Sequence, residues 1–330
     1  MNQEENSIDF DQNKLCDQII ERYESLQKNN LFEDDEDLEN ISNEIFSGTD
    51  KSHAKFMAFL AYVAKWSYWN NKTDMERKWK GWSPHNIYSL PTDIRVFTLI
   101  NDQKQLIICF RGTVALSPVN WILDASCVRY KFPPVTNNLV HQGFKIGYWS
   151  IRKELRNYIK KLVANNSIDS VCICGHSLGG AMATLCALDL KNNPIPKLKK
   201  EFKLVTFGQP AVGGQGVANE FDRIVPKSHY YRYHNIGDIV PRYPMLWYYK
   251  HGGTHIKIRY DKKNAVNTLD EIALYEKLCS LKEEELKGYL NMDDNKFMNE
   301  LDLPPFWGHG INNYWKVLQK MARDSQLESK

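Results

Sequence analysis

The stretch Val171–Leu190 reads VCICGHSLGGAMATLCALDL, and its centre, Gly175-His176-Ser177-Leu178-Gly179, is a G-x-S-x-G. Val171–Gly175 is a short apolar run ending in glycine, the composition of a fully buried strand. From Leu178 onward Ala and Leu dominate, which suits a buried helix. Ser177 is therefore expected at a strand-to-helix corner. Such a corner leaves no room for side chains on either flank, so glycines bracket the serine and its hydroxyl is held out at the sheet edge. The serine also sits at a helix N-terminus, where backbone N–H groups and the helix dipole favour a developing negative charge.

Working outward from the corner, strands and helices alternate. Ile94–Ile100 and Leu106–Phe110 read as two strands joined by the polar turn Asn101–Lys104. His141–Val163 is a long helix candidate, with Ile151, Leu155, Ile159 and Leu162 along one stripe. Beyond the corner come a strand at Phe202–Phe207, a helix at Gly213–Val225, and strands at His229–Tyr233 and Ile256–Tyr260. Upstream, Phe56, Phe59, Leu60 and Val63 recur at helical steps. The alternation predicts an α/β fold with a mostly parallel central sheet flanked by helices, and with Ser177 near its centre.

Two segments stand apart from this pattern. Residues 1–50 carry the acidic run Glu33–Glu39, with Leu15, Ile19 and Leu26 at loosely helical spacing, and read as a peripheral, helical N-terminal arm. Residues 51–330 form the main domain, with a charged helical insertion at about 262–300, where Leu269, Ile272, Leu278 and Leu281 fall at helical steps.

The bulk numbers narrow the function. With 43 Lys and Arg against 40 Asp and Glu the net charge is +3, so no global field draws the chain to nucleic acid or an anionic membrane, and only weak local patches are expected. The most apolar early stretch, Phe56–Trp69, contains Lys65 and is too short to span a bilayer, so no transmembrane segment is expected. The cysteine count of seven is odd, Cys109, Cys172 and Cys174 lie in apolar strands, and the opening MNQEENSIDFDQ lacks the pattern of a secretory signal. These features together predict a cytoplasmic location.

A serine hydroxyl becomes a nucleophile when a base takes its proton and a carboxylate orients that base. On a sheet with the serine at such a corner, the acid and then the histidine follow the serine in the chain. Asp238, in NIGDIVPRYP just past a strand, has a glycine before it and prolines after it to fix a loop. Asp222, Asp261, Asp270, Asp293 and Asp294 read more simply as solvated surface. For the base the choice lies among His229, His234, His251, His255 and His309. His309, in the late loop PPFWGHGINNYW, is favoured, and His251 in YKHGGTH competes. His176 is expected to support the corner. An oxyanion hole would take the backbone N–H of Leu178 and a second donor from Thr113, which follows the strand LIICF.

Read as a series, the blocks ICFRGT, NWILD, VHQGF, GHSLGGAMA with LCALDL, VTFGQPAVG, HNIGDIVP and YKHGGTH, ending on His309 with Tyr314 nearby, resemble the class 3 lipases. That group holds the fungal triacylglycerol lipases and related feruloyl esterases of the α/β-hydrolase superfamily, and the resemblance covers about residues 90–318. It implies an α/β-hydrolase fold, Ser177 as nucleophile, Asp238 as acid, His309 as base, and Thr113 with Leu178 as oxyanion hole. It also places His251 outside the triad. The family has a lid after the oxyanion strand, here Val114–Ile122, whose apolar face would be Val114, Ala115, Leu116, Val119, Trp121 and Ile122. Opening it exposes apolar surface at roughly 25 cal/mol per Å², a cost offset at a lipid–water interface.

The expected activity is lipase-like hydrolysis of carboxylic esters of glycerolipids through an acyl-enzyme at Ser177. This chemistry requires no metal or organic cofactor. The expected partner is a lipid or ester substrate. Alternatives are an esterase on soluble esters, a phospholipase, an acyltransferase, or a non-catalytic relative that binds lipid or protein; intact nucleophile, acid, base and oxyanion positions argue against the last.

Overall fold

The computed structural model describes residues 50–68, 79, 81–89, 92–112, 128–133, 135–198, 202–236, 238–244, 248–259, 281–293 and 310–327, together with 15, 18, 19 and 22. Its centre is a sheet of seven strands: β1 (Trp82–Ser89), β2 (Ile94–Asn101), β3 (Gln105–Phe110), β6 (Ser170–His176), β7 (Phe202–Phe207), β9 (Tyr230–Asn235) and β11 (Thr254–Ile258), in that spatial order. The pairs β1–β2 and β2–β3 are antiparallel, and from β3 to β11 every neighbouring pair is parallel. The strand that leads to Ser177 is the middle one, as the sequence pattern predicts.

Each central strand is apolar on both faces because both are covered. Leu106, Ile108 and Phe110 of β3 and Val171 and Ile173 of β6 point into one core. Helices α2 (Gln142–Ala164), α3 (Leu178–Asn192) and α4 (Gln215–Ile224) contribute to the same core. The alternate residues Ile107, Cys109, Cys172 and Cys174 face the other core, with α1 (Asp50–Trp66) and the C-terminal helix α6 (Ile311–Leu327). The cysteines thus behave as small buried hydrophobes. Between α2 and α3 the fully buried Asp189 accepts bonds from Tyr148 Oη (3.0 Å), Arg152 Nε (2.9 Å) and Arg156 Nη1 (3.2 Å). A carboxylate in that position is tolerable only because it is paired and saturated with donors.

Several boundaries differ from the sequence reading, for local reasons. His141 ends a strand, β5 (Thr136–His141), where its N–H bonds Val212 O at 2.9 Å, and the long helix begins one residue later. Gly213–Gly214 forms β8, so the next helix starts at Gln215. His229 closes a 3-10 turn instead of opening a strand, and the strand expected at Ile256–Tyr260 runs Thr254–Ile258, paired with β9. The edge strand β1 has no apolar alternation: among the described strands WSPHNIYS pairs with β2 alone, and an edge tolerates its proline. A second sheet, in the order β10 (Tyr249–Lys250), β8, β5, β4 (Arg129–Phe132), lies outside the main one.

Within the charged insertion, α5 (Glu283–Leu290) is described. The described residues of the N-terminal arm are helical and docked to it: Ile19 is fully buried, and the Arg22 guanidinium donates to the carbonyl oxygens of Tyr289 (2.9 Å), Leu290 (3.0 Å) and Met292 (2.5 Å). A cation on the last carbonyls of a helix meets its negative end, so the arm is anchored there. Leu26, the acidic run 33–39, Leu269, Ile272 and Leu278 lie outside the described residues.

Candidate active site

The corner at Ser177 forms as the glycine spacing requires. Ser177 has φ 55° and ψ −127°, a backbone conformation that L-residues rarely hold and that costs on the order of 1–3 kcal/mol. The surrounding bonds fix it: Ser177 N–H donates to Phe207 O on the next strand at 2.9 Å, and Ser177 O accepts from Gly180 N–H at 2.9 Å. Gly175 and Gly179 are needed for space. A Cβ on Gly175 would overlap the backbone of Gly179, and one on Gly179 would overlap the Phe110 carbonyl at the end of β3. Helix and strand can pack this closely only without side chains at both places.

Ser177 is buried, and among the described residues no group hydrogen-bonds its Oγ. Leu178 opens α3, so no carbonyl four residues back within the helix is available to its N–H. His176 supports the corner: its Nδ1 lies 2.8 Å from Tyr68 Oη, and its ring meets Tyr68 and Tyr314 edge-on. Arg111, directly after β3, is also held. Its guanidinium donates to Asp93 O at 3.0 Å and Asp93 Oδ2 at 2.5 Å, and burial lowers its pKa from the usual arginine value. That anchor fixes the point from which the chain leaves toward Thr113.

Asp238 follows β9 at the same edge of the sheet, two strands from β6. It is buried. Tyr314 Oη donates to Oδ2 at 2.5 Å, Val240 N–H donates to Oδ1 at 2.8 Å, and Asp238 N–H donates to Asn235 O at 2.8 Å. The Tyr314 hydroxyl also accepts from Asn235 N–H at 3.0 Å, and burial together with Asp238 raises its pKa well above the usual tyrosine value. Tyr314 therefore stays protonated and works as a fixed donor. On the outer side, His234 Nε2 lies 3.2 Å from Asp238 O and His234 Nδ1 lies 3.1 Å from His255 Nε2. A carbonyl can only accept, so His234 carries its proton on Nε2 and His255 donates to Nδ1. Burial is the first cause lowering both pKa values, that of His255 to about 4.

The competing histidine is accounted for otherwise. His251 Nε2 donates to Pro241 O at 2.8 Å, and burial, with Arg232 second, pushes its pKa down to about 3. Its contact holds the turn after Asp238. The structure thus brings Ser177, Leu178, Asp238 and Tyr314 to one edge. Thr113, the lid residues Val114, Ala115, Leu116, Val119, Trp121 and Ile122, and His309 lie outside the described residues. Sequence reasoning missed Tyr68 and the Arg111–Asp93 anchor. Tyr68 carries no motif, and Asp93 shows its role only through tertiary contact.

The profile of the family described as Lipase (class 3) matches residues 107–247, from β3 through the Asp238 loop. The lipase of Rhizomucor miehei is 36% identical over 144 residues, 44% of this chain and 39% of that one. Over this part of its length the chain is similar to the class 3 lipases. A second relative, the secreted mono- and diacylglycerol lipase A of Penicillium camembertii, is 29% identical over 155 residues, 47% of each chain. The chain thus spans less than half the length of these curated relatives. Among solved class 3 structures, the Rhizomucor miehei triacylglyceride lipase superposes with a TM-score of 0.56 at 28% identity, covering 66% of this chain and 83% of that one. A triacylglycerol lipase whose catalytic centre is a serine protease triad superposes with a TM-score of 0.57, also at 28% identity and over the same shares. The fold is the α/β-hydrolase fold of these lipases.

Proposed function

We propose that the chain is a serine hydrolase of lipase type, cleaving carboxylic esters of glycerolipids. The observation that carries this reading is the Oγ of Ser177 on a strained corner, with no hydrogen-bond partner among the described residues, at the sheet edge that also holds the buried, fixed carboxylate of Asp238. In this reading His309 takes the Ser177 proton as Oγ attacks the ester carbonyl, and Asp238 orients the imidazole and stabilises its charged form. The tetrahedral oxygen is met by the N–H of Leu178 and by Thr113. Collapse releases the alcohol with the proton from His309, and water, activated by the same histidine, then cleaves the acyl-enzyme. The Val114–Ile122 segment acts as an apolar lid over the buried serine, so activity rises at a lipid–water interface.

The test is hydrolysis of a water-soluble ester and of a triacylglycerol emulsion by the wild type, Ser177→Ala and His309→Ala. We expect turnover of both substrates by the wild type, with a rate jump once a micellar ester exceeds its critical concentration, and loss in both variants. A folded wild type without esterase activity contradicts the reading. An active His309→Ala reassigns the base.

A further inference from the structure

Of the large hydrophobic side chains left exposed, four gather in one region: Val128 (46% exposed), Tyr130 (45%), Ile146 (53%) and Trp149 (53%). They are contiguous. Gln142 N–H at the start of α2 bonds Val128 O at 3.0 Å, and Ile146 and Trp149 lie on the next turns of the same helix. The Lys145 ammonium sits 5.7 Å from the Tyr130 ring centroid and 5.9 Å from that of Phe132, and the Phe132 and Trp149 rings are 5.9 Å apart. Scattered single hydrophobics need no explanation, but an aromatic cluster of this kind on the surface marks a contact face.

The patch lies at the Ser177 end of the molecule. Helix α2 ends at Ala164, and the link that follows bonds Asp169 N–H to Lys104 O (2.7 Å), just before the start of β3, so the C-terminus of α2 is at the edge where the parallel strands begin. Its first turns are at the opposite edge: Tyr148 packs on Phe110, the last residue of β3. Ser177 is at that edge too.

Charge distinguishes the possible occupants. Residues 128–153 contain Arg129, Lys131, Lys145, Arg152 and Lys153 and no acidic residue, in a chain whose charges otherwise nearly cancel. Arg152 is neutralised by Asp189, whereas the half-buried Lys145 carries its ammonium over the rings of Tyr130 and Phe132. Trp and Tyr with Lys between them match the headgroup region of a bilayer, where amphipathic rings settle and long cations reach phosphate. We propose that Val128, Tyr130, Lys145, Ile146 and Trp149 form a docking surface for anionic lipid, which sets the active-site edge against the bilayer independently of the lid. The purpose of this surface rests on the ester-hydrolase reading above; its binding does not.

The experiment is flotation of the full chain with phosphatidylcholine vesicles, with and without phosphatidylserine, at low and high salt. Fluorophosphonate labelling of Ser177 is run on every variant as a check on fold and site. The wild type should prefer the anionic vesicles and lose that preference as salt screens the charges. Lys145→Glu should weaken binding by at least about fivefold, because each basic residue near an anionic surface is worth about fivefold in affinity. Ile146→Ser with Trp149→Ser should weaken binding to both vesicle types, with labelling unchanged. The proposal is overturned if variants that still label bind as the wild type does, if neutral vesicles are bound as tightly as anionic ones, or if the Ile146 and Trp149 changes alter only the oligomeric state. If vesicles behave as expected but wild-type Ser177 never labels, the docking surface stands and the hydrolase reading falls.

Discussion

The corner at Ser177 is made by leaving side chains out, whereas the loop at Asp238, at the same edge of the sheet, is made by bringing side chains in. Gly175 and Gly179 let helix, strand and serine pack within the span of one short motif, and the bonds that fix Ser177 come from the backbone. Around Asp238 the contacts come from distant parts of the chain: Tyr314 is 76 residues downstream, and His255 acts through His234. The corner should therefore be intolerant of any added atom, and the loop should lose function in graded steps as its supports are removed.

The largest effect is expected from the carboxylate itself. Asp238→Asn keeps the shape of the loop but no longer stabilises a charged imidazole, so kcat/KM for a soluble ester should fall by about 10⁴ with little change in unfolding midpoint. Next comes Gly179→Ala. Its Cβ would meet the Phe110 carbonyl, a backbone atom that cannot swing aside, so the cost should be at least about 3 kcal/mol in denaturant unfolding, with loss of activity from structure instead of chemistry. If this variant is stable and active, the contrast between a side-chain-free corner and a side-chain-built loop is wrong.

Those two regions were unequally legible in the sequence, for the same physical reason. A steric requirement for glycine leaves a mark at fixed spacing, so Gly175-His176-Ser177-Leu178-Gly179 announced both the corner and the strand and helix that make it. Asp238 could be found because its loop carries its own glycine and prolines. Its hydroxyl donor had only a nearby-tyrosine resemblance to point to it, and Tyr68 and Asp93 had nothing, since a contact between remote residues has no local period. The second sheet escaped for a related reason: β8 and β10 are two residues each, too short to show alternation. The edge strand β1 escaped because a solvent-facing edge accepts polar residues and proline.

Removing a support of the loop should cost less than removing the carboxylate. Tyr314→Phe takes one charge-assisted hydrogen bond from Asp238 and leaves the Asn235 N–H without that acceptor, so kcat should fall roughly tenfold with KM little changed, and stability should drop by about 1–3 kcal/mol. A variant that loses stability but keeps kcat would make Tyr314 structural only.

The smallest effect concerns His251, which braces the turn after Asp238 in its neutral form. Its pKa is about 3 in the fold against an ordinary value of 6.5, so the unfolded chain binds the extra proton first as pH falls. The stability from neutral His251 is fully present above about pH 6.5 and declines as pH drops toward 3, by at most about 1.4 kcal/mol per pH unit. His251→Asn should flatten the acid limb of the unfolding free energy measured from pH 7 to 4, while activity at pH 7 changes little. An unchanged acid limb would show that His251 is not held neutral by burial.

The most direct test of the central claim, that Ser177 is an activated nucleophile, is labelling of the purified chain with a fluorophosphonate in detergent, followed by peptide mapping. The account predicts rapid modification at Ser177, absent in Ser177→Ala and much slower in Asp238→Asn. No modification of a folded wild type, or modification at another residue that persists in Ser177→Ala, would contradict it.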